Sequence, residues 1–209
     1  MKKALIFDLD NTIYPVSSIA DELFESLFSV VEEYRDLLGN AELQNIKEEF
    51  TRRPYQEVAD KYNFSKALKQ KGLNHLQNIT YNKPITTYEG YEEVKTLPHV
   101  KFLVTSGFTN LQNSKVKMLG IENDFLEIHI VDPQIASLTK KDIFANILLK
   151  YNYSRNEVLV IGDDPESEIK AAKSLGIDTF LFDPLNKYPN EEVSYRSDKL
   201  VAIIDCLLQ

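Results

Sequence analysis

The chain has 209 residues and a formal net charge of −8, enough length for one α/β core with an insertion and, with no basic run, a balance that argues against a nucleic-acid polymer as partner. Its single cysteine, Cys206, excludes an internal disulfide and reads as a core residue of an apolar C-terminal helix. No apolar stretch is long enough to span a membrane, and Asp8 and Asp10 end the run after Lys2-Lys3 too early for a signal peptide, so the expectation is a cytoplasmic monomer or homodimer.

The first element is the apolar run Ala4-Leu5-Ile6, a buried strand that leads into Phe7-Asp8-Leu9-Asp10-Asn11-Thr12. Alternation along a strand predicts Asp8 and Asp10 on the same side. Two like charges side by side are costly unless a cation or a substrate uses them. A magnesium ion plus one carboxylate acting as nucleophile accounts best for the pair.

Residues 15–83 read as helical. Ile19, Leu23, Leu27, Val30, Val31, Tyr34, Leu37 and Leu38 have helical spacing before a Gly39-Asn40 stop. Further helices are predicted from Glu42 to Phe50, Tyr55 to Tyr62 and Lys66 to Ile79. Strand and helix then alternate. A helix over Tyr88 to Leu97 precedes the strand Lys101-Phe102-Leu103-Val104, which ends in Thr105-Ser106-Gly107. Next come a helix from Asn110 to Leu119, a strand Glu127-Ile128-His129-Ile130-Val131, and an amphipathic helix opening at Leu138-Thr139-Lys140-Lys141 and running to Tyr151. Lys140 shares a face with Ile143 and Ile147, which aims it inward and Lys141 sideways. The strand Val158-Leu159-Val160-Ile161 enters Gly162-Asp163-Asp164. A helix over Lys170 to Leu175 stops at Gly176, followed by a strand Asp178 to Phe182 and a closing helix Asp198 to Leu208. Such alternation indicates a parallel sheet with helices on both faces, which binds its ligand beyond the carboxyl ends of the strands.

Asp-Leu-Asp-Asn-Thr after an apolar strand resembles the first motif of the haloacid dehalogenase-like hydrolase superfamily, the phosphoaspartate-forming phosphatases and phosphomutases. The strand end Thr105-Ser106-Gly107 is similar to its second motif, Lys140 to its third, and Gly162-Asp163-Asp164 to its fourth. The resemblance implies a Rossmann-like core, residues 1–14 and 84–209, with residues 15–83 as an α-helical cap hinged at Tyr14-Pro15 and Tyr81-Asn82-Lys83-Pro84. It also implies a sheet with the fourth strand on one side of the first and the second on the other.

For chemistry, the resemblance implies a Mg²⁺-dependent phosphatase acting on a small phosphorylated metabolite, a nucleotide or sugar phosphate among the options. Asp8 would be the nucleophile and Asp10 the acid and base. Thr105 and Lys140 would hold the transferred group, with the backbone of Ser106 and Gly107. Asp8, the backbone carbonyl of Asp10, and Asp163 would bind the metal. The family often has a second Asp five positions after the first in its fourth motif; here the residue is Glu168, taken with Asp164 as an outer group that orients ligands and waters. Arg52, Arg53 and Tyr55 are candidate substrate contacts. Asn11-Thr12-Ile13-Tyr14 is similar to the matching stretch of pyrimidine 5′-nucleotidase-like members. A phosphomutase would use the same residues, a non-catalytic phosphoryl-binding module would keep the fold without turnover, and a dehalogenase would need neither Asp10 nor Asp163.

Overall fold

The computed structural model describes residues 1–32, 40–50, 53, 55–132, 134–135 and 138–208. Strand β1 (Ala4–Phe7) is buried throughout. It lies between β2 (Val100–Ser106) and β4 (Val158–Gly162), with β3 (Glu127–Val131) outside β2, and β5 (Asp178–Phe182) then β6 (Tyr195–Ser197) outside β4. Every neighbouring pair is parallel; Ala4 is level with Val100 and Val158, and Phe7 with Leu103 and Ile161. The strand order therefore reverses at β1, and the carboxyl ends of β1, β2 and β4 frame the crevice where α/β sheets bind ligands.

A strand covered on both faces needs no polar alternation, and β1 has none. Leu5 and Phe7 join Leu103, Leu159 and Ile161 in one apolar cluster; Ala4 and Ile6 join Phe102, Val104 and Val160 in the other. Among the described residues of the segment 15–83 there are four α-helices: α1 (Ala20–Glu32), α2 (Asn40–Phe50), α3 (Tyr55–Lys61) and α4 (Lys66–Leu76). Their apolar faces, Phe24, Leu27, Phe50 and Leu76 among them, belong to the first cluster. Stacked rings at Phe28, Phe50 and Tyr55, with centroids 6.2 and 5.6 Å apart, tie α1, α2 and α3 together. The first cluster also takes in α5 (Tyr91–Lys95), α6 (Thr109–Leu119) and α9 (Ile203–Leu207). The second cluster is covered by α7 (Lys140–Tyr151) and α8 (Lys170–Leu175). No helix among the described residues is long and apolar enough to cross a membrane.

The predicted α/β fold is the one observed, with local differences. Tyr34, Leu37, Leu38 and Gly39, expected to end the first helix, lie outside the described residues. The helix expected from Tyr88 begins only at Tyr91, because Gly90 sits at φ 90° before it. The closing helix is shorter than expected and starts as a 3-10 turn, Leu200–Ala202. β6 is absent from the sequence reading: three residues with no alternation become a strand only by pairing with β5, Phe180 level with Tyr195. After Asp163 the chain forms a π-helical turn, Pro165–Ile169, broken at Ser167, before α8 begins. Such turns inside helices recur at functional sites.

Candidate active site

Asp8 follows β1 directly, and its N–H extends the sheet by donating to the Ile161 carbonyl at 2.9 Å. The chain then turns sharply at Asn11, φ 58°, whose side chain accepts from the Val16 N–H at 3.1 Å. Asparagine is among the few side chains that tolerate this left-handed conformation. The turn leaves Asp8 and Asp10 in a loop rather than a strand.

Asp8 is buried beside Lys140, whose Nζ lies 2.6 Å from Asp8 Oδ1 and 2.7 Å from Glu168 Oε2. Lys140 is the first residue of α7, held there by a capping box in which Thr139 and Asp142 satisfy each other's backbone N–H groups. Lys141, one step round the helix, is exposed. From β4 comes Asp163, which accepts from the Thr12 hydroxyl at 3.3 Å. The π-helical turn swings Glu168 inward, where its Oε1 accepts from the Asp164 N–H at 2.8 Å. Gly162 makes this possible: a Cβ there would stand 2.1 Å from Glu168 Oε1.

Asp8, Asp163 and Glu168 thus offer carboxylate oxygens that all lie within 4.8 Å of one another. One ammonium serves three carboxylates, and the imbalance shows at Asp8 and Asp163. Burial, with Glu168 and Asp10 adding to it against Lys140, pushes the Asp8 carboxyl up to about 7. Burial followed by Glu168, Asp8 and Asp164 raises Asp163 well above the usual carboxylate range. Lys140 is held above its ordinary value, because Asp8 and Glu168 outweigh the opposing effect of burial. An all-oxygen donor set short of positive charge fits a hard divalent cation.

Asp10 stands apart from this cluster. Its Oδ1 accepts from the Tyr14 hydroxyl at 2.5 Å and from Lys115 Nζ at 2.8 Å; its Oδ2 accepts from Lys115 at 3.0 Å and from Gln112 at 2.9 Å. Burial alone would raise its carboxyl, but the Lys115 charge and the hydrogen bonds from Lys115, Tyr14 and Gln112 hold it below the usual value. The expected pair of aspartates is therefore two carboxylates on two different lysines, Asp8 sharing Lys140 with Glu168 and Asp10 held by Lys115. The same Gln112 Nε2 donates to Thr105 Oγ1 at 2.7 Å, joining the buried threonine at the end of β2 to Asp10. Gln112 and Lys115 have no place in the sequence reading, and Tyr14 enters it only as a hinge and motif residue, not as a partner of Asp10. A signal existed in α6, where Gln112 and Lys115 fall between Leu111 and Val116 on what periodicity makes the inward face.

Asp8, Asp10, Thr105, Gln112, Lys115, Lys140, Asp163 and Glu168 all line one cavity of about 430 Å³ between the strand ends and the helical segment. Ser106 and Gly107 line it; the Gly107 N–H is already donated to the Val131 carbonyl at 3.1 Å, so this residue supplies room rather than a donor. Its φ of 148° belongs to glycine. Arg53 and Tyr55 line the opposite wall. The Tyr55 hydroxyl turns away to the Leu68 carbonyl at 2.9 Å and leaves only the ring facing in. Burial raises the Asp164 carboxyl above its usual value, and Arg53 is a minor charge that opposes the rise. Arg52 lies outside the described residues.

Comparison with known proteins follows this geometry. Residues 2–176 match the family model described as haloacid dehalogenase-like hydrolase. Glyceraldehyde 3-phosphate phosphatase of Methanopyrus kandleri is 25% identical over 204 residues, 86% of this chain and 83% of that protein. Enolase-phosphatase E1 of a Sulfurihydrogenibium species is 24% identical over 232 residues, 92% of this chain and 95% of that one. The structure of a haloacid dehalogenase-like family hydrolase from Streptococcus pneumoniae superposes with a TM-score of 0.72 at 16% identity, covering 99% of this chain and 98% of that one. With three quarters and more of its length inside the family model, and the carboxylates and lysine of its motifs gathered at the strand ends, this chain belongs to the haloacid dehalogenase-like hydrolases.

Proposed function

We propose that this hydrolase is a Mg²⁺-dependent cytoplasmic phosphatase that cleaves a small organic phosphate ester through an aspartyl phosphate on Asp8. The observation that carries the reading is the buried Asp8–Lys140–Glu168–Asp163 cluster facing a cavity at the sheet's switch point. The names of the relatives, both phosphatases, support it. Mg²⁺ would be held by Asp8, Asp163 and the Asp10 carbonyl, with Glu168 adjacent, and when bound it neutralises charge on the phosphoryl oxygens.

The Asp8 carboxylate attacks phosphorus, an O–P bond forms, and the bond to the ester oxygen breaks as the alcohol leaves. Lys140 and the Thr105 hydroxyl hold the transferred group, so positioning and charge neutralisation supply much of the rate. Water then attacks phosphorus, inorganic phosphate departs and Asp8 is restored. Asp10, ionised beside Lys115, is in the form that takes a proton from that water. Donating one to the leaving alkoxide requires Asp10 to be protonated first, which Lys115 opposes. Esters with good leaving groups should therefore turn over faster than alkyl esters of similar size. The four-helix segment, residues 15–83, acts as a cap that meets the leaving group.

The test is hydrolysis of 4-nitrophenyl phosphate by the purified protein with and without Mg²⁺, and by Asp8→Asn. Activity is expected only with the metal and only in the wild type, since Asn keeps the shape without a nucleophilic carboxylate. Turnover by Asp8→Asn near the wild-type rate would remove the aspartyl-phosphate mechanism.

A further inference from the structure

The part of the cavity not occupied by the acidic cluster is walled by carbon. Phe24 and Leu27 of α1, Phe50 at the end of α2 and Leu76 at the end of α4 come from one side; Phe108 and Leu111, at the start of α6, come from the other. All six are buried, between 1% and 8% exposed. Of the polar residues of the same wall, Arg53 and Glu57 have side chains 56% and 59% exposed and face each other at 3.7 Å, so they form the rim; Gln56, partly buried, also lines the cavity. A polyhydroxylated body placed in this interior would lose its water without gaining partners, at the cost that attends any unpaired buried hydroxyl. An apolar body would displace water from carbon surface and gain by it. On the phosphatase reading Lys140 and Thr105 hold the phosphoryl end, so the organic group extends from there into the rest of the cavity.

We propose that the preferred substrates are phosphate monoesters of apolar alcohols, aliphatic or aromatic, and not of sugars or polyols. This rests on the phosphatase reading, and the experiment separates the two. Non-hydrolysable methyl-, butyl- and hexylphosphonate, with 2-hydroxyethylphosphonate and a polyhydroxyalkyl phosphonate, are titrated calorimetrically into the full chain with Mg²⁺. In parallel, kcat/KM is measured for butyl phosphate and glycerol 3-phosphate. The dissociation constant is expected to fall about two- to fourfold for each methylene added, and butyl phosphate is expected to be the better substrate.

Equal affinities along the alkyl series, no binding of any phosphonate, or tighter binding of the hydroxylated compounds would overturn the proposal, whatever the kinetics. The expected binding series without hydrolysis of any ester would uphold the apolar pocket and remove the phosphatase reading. Phe108→Asn supplies a second check. It deletes one ring of the wall and places a good N-cap residue where Phe108 makes no side-chain cap of its own, so folding should survive while the alkyl series flattens. An unchanged series in that folded variant would count against the pocket.

Discussion

Lys115 Nζ stands 2.8 Å from one carboxylate oxygen of Asp10 and 3.0 Å from the other, with its own side chain 5% exposed. This buried pair, not the alternation of a strand, sets the position and charge of Asp10. In Lys115→Met the carboxylate keeps only Tyr14 and Gln112. Removing one partner of a fully buried pair typically costs about 3–5 kcal/mol of stability, and less is expected here because the Asp10 side chain is 26% exposed. Turnover that relies on ionised Asp10 as base should slow, by up to roughly 10²-fold, and the advantage of aryl over alkyl phosphates should shrink, since Lys115 no longer opposes protonation of Asp10. Because Lys115 holds the Asp10 carboxyl down, its removal lets that carboxyl rise, and the acid limb of the pH–rate profile should move to higher pH. A folded Lys115→Met with wild-type rate and an unmoved limb would refute this assignment.

Lys140 and Lys141 are neighbours in sequence but not in role. Lys140→Met should abolish measurable turnover and lower the melting temperature, since it strips the counter-charge from Asp8 and Glu168. Lys141→Met, at an exposed position, should leave both within error, as surface substitutions usually do. Paired melting curves and initial rates decide it; equal effects in the two variants would remove the distinction.

Metal and pH should be linked through Asp8. Its carboxyl is raised from an ordinary 3.8 to about 7 in the metal-free protein. A carboxyl raised on folding contributes stability that is complete below pH 3.8 and is lost as pH climbs through about 7. The metal-free protein should therefore melt lower at pH 8 than at pH 6. Mg²⁺ needs the ionised carboxylate, so its stabilisation should be larger at pH 8, on the order of 5–10 °C near 100-fold saturation for a chain of this size. Thermal melts at both pH values with and without Mg²⁺ check this; an equal shift, or none, would count against a metal held by Asp8.

Gly162→Ala tests whether the approach of Glu168 matters. Its new Cβ would fall 2.1 Å from Glu168 Oε1 and 2.2 Å from Cγ, so the carboxylate must leave its place between Lys140 and the Asp164 N–H. Groups that orient metal ligands typically cost 10–100-fold in affinity or activity when lost, and a rise of that size in the Mg²⁺ concentration for half-maximal activity is expected. Unchanged Mg²⁺ dependence would show that Glu168 has no part in the metal site.

Much of this protein is local and therefore readable from its residues. The apolar strands and the spacing of helical faces are short-range consequences of side-chain type, and they predict the α/β fold, the helical segment and the acidic strand ends. Even the choice of Lys140 over Lys141 follows from which face of α7 carries Ile143 and Ile147. What only the tertiary structure decided depends on groups distant in sequence. Lys115 meets Asp10 across more than a hundred residues, β6 exists because β5 offers it an edge, and Glu168 turns inward because Gly162 leaves a gap for it. Buried charges and edge strands are satisfied by whatever partner the packing delivers, and no periodicity within either segment records which partner that will be.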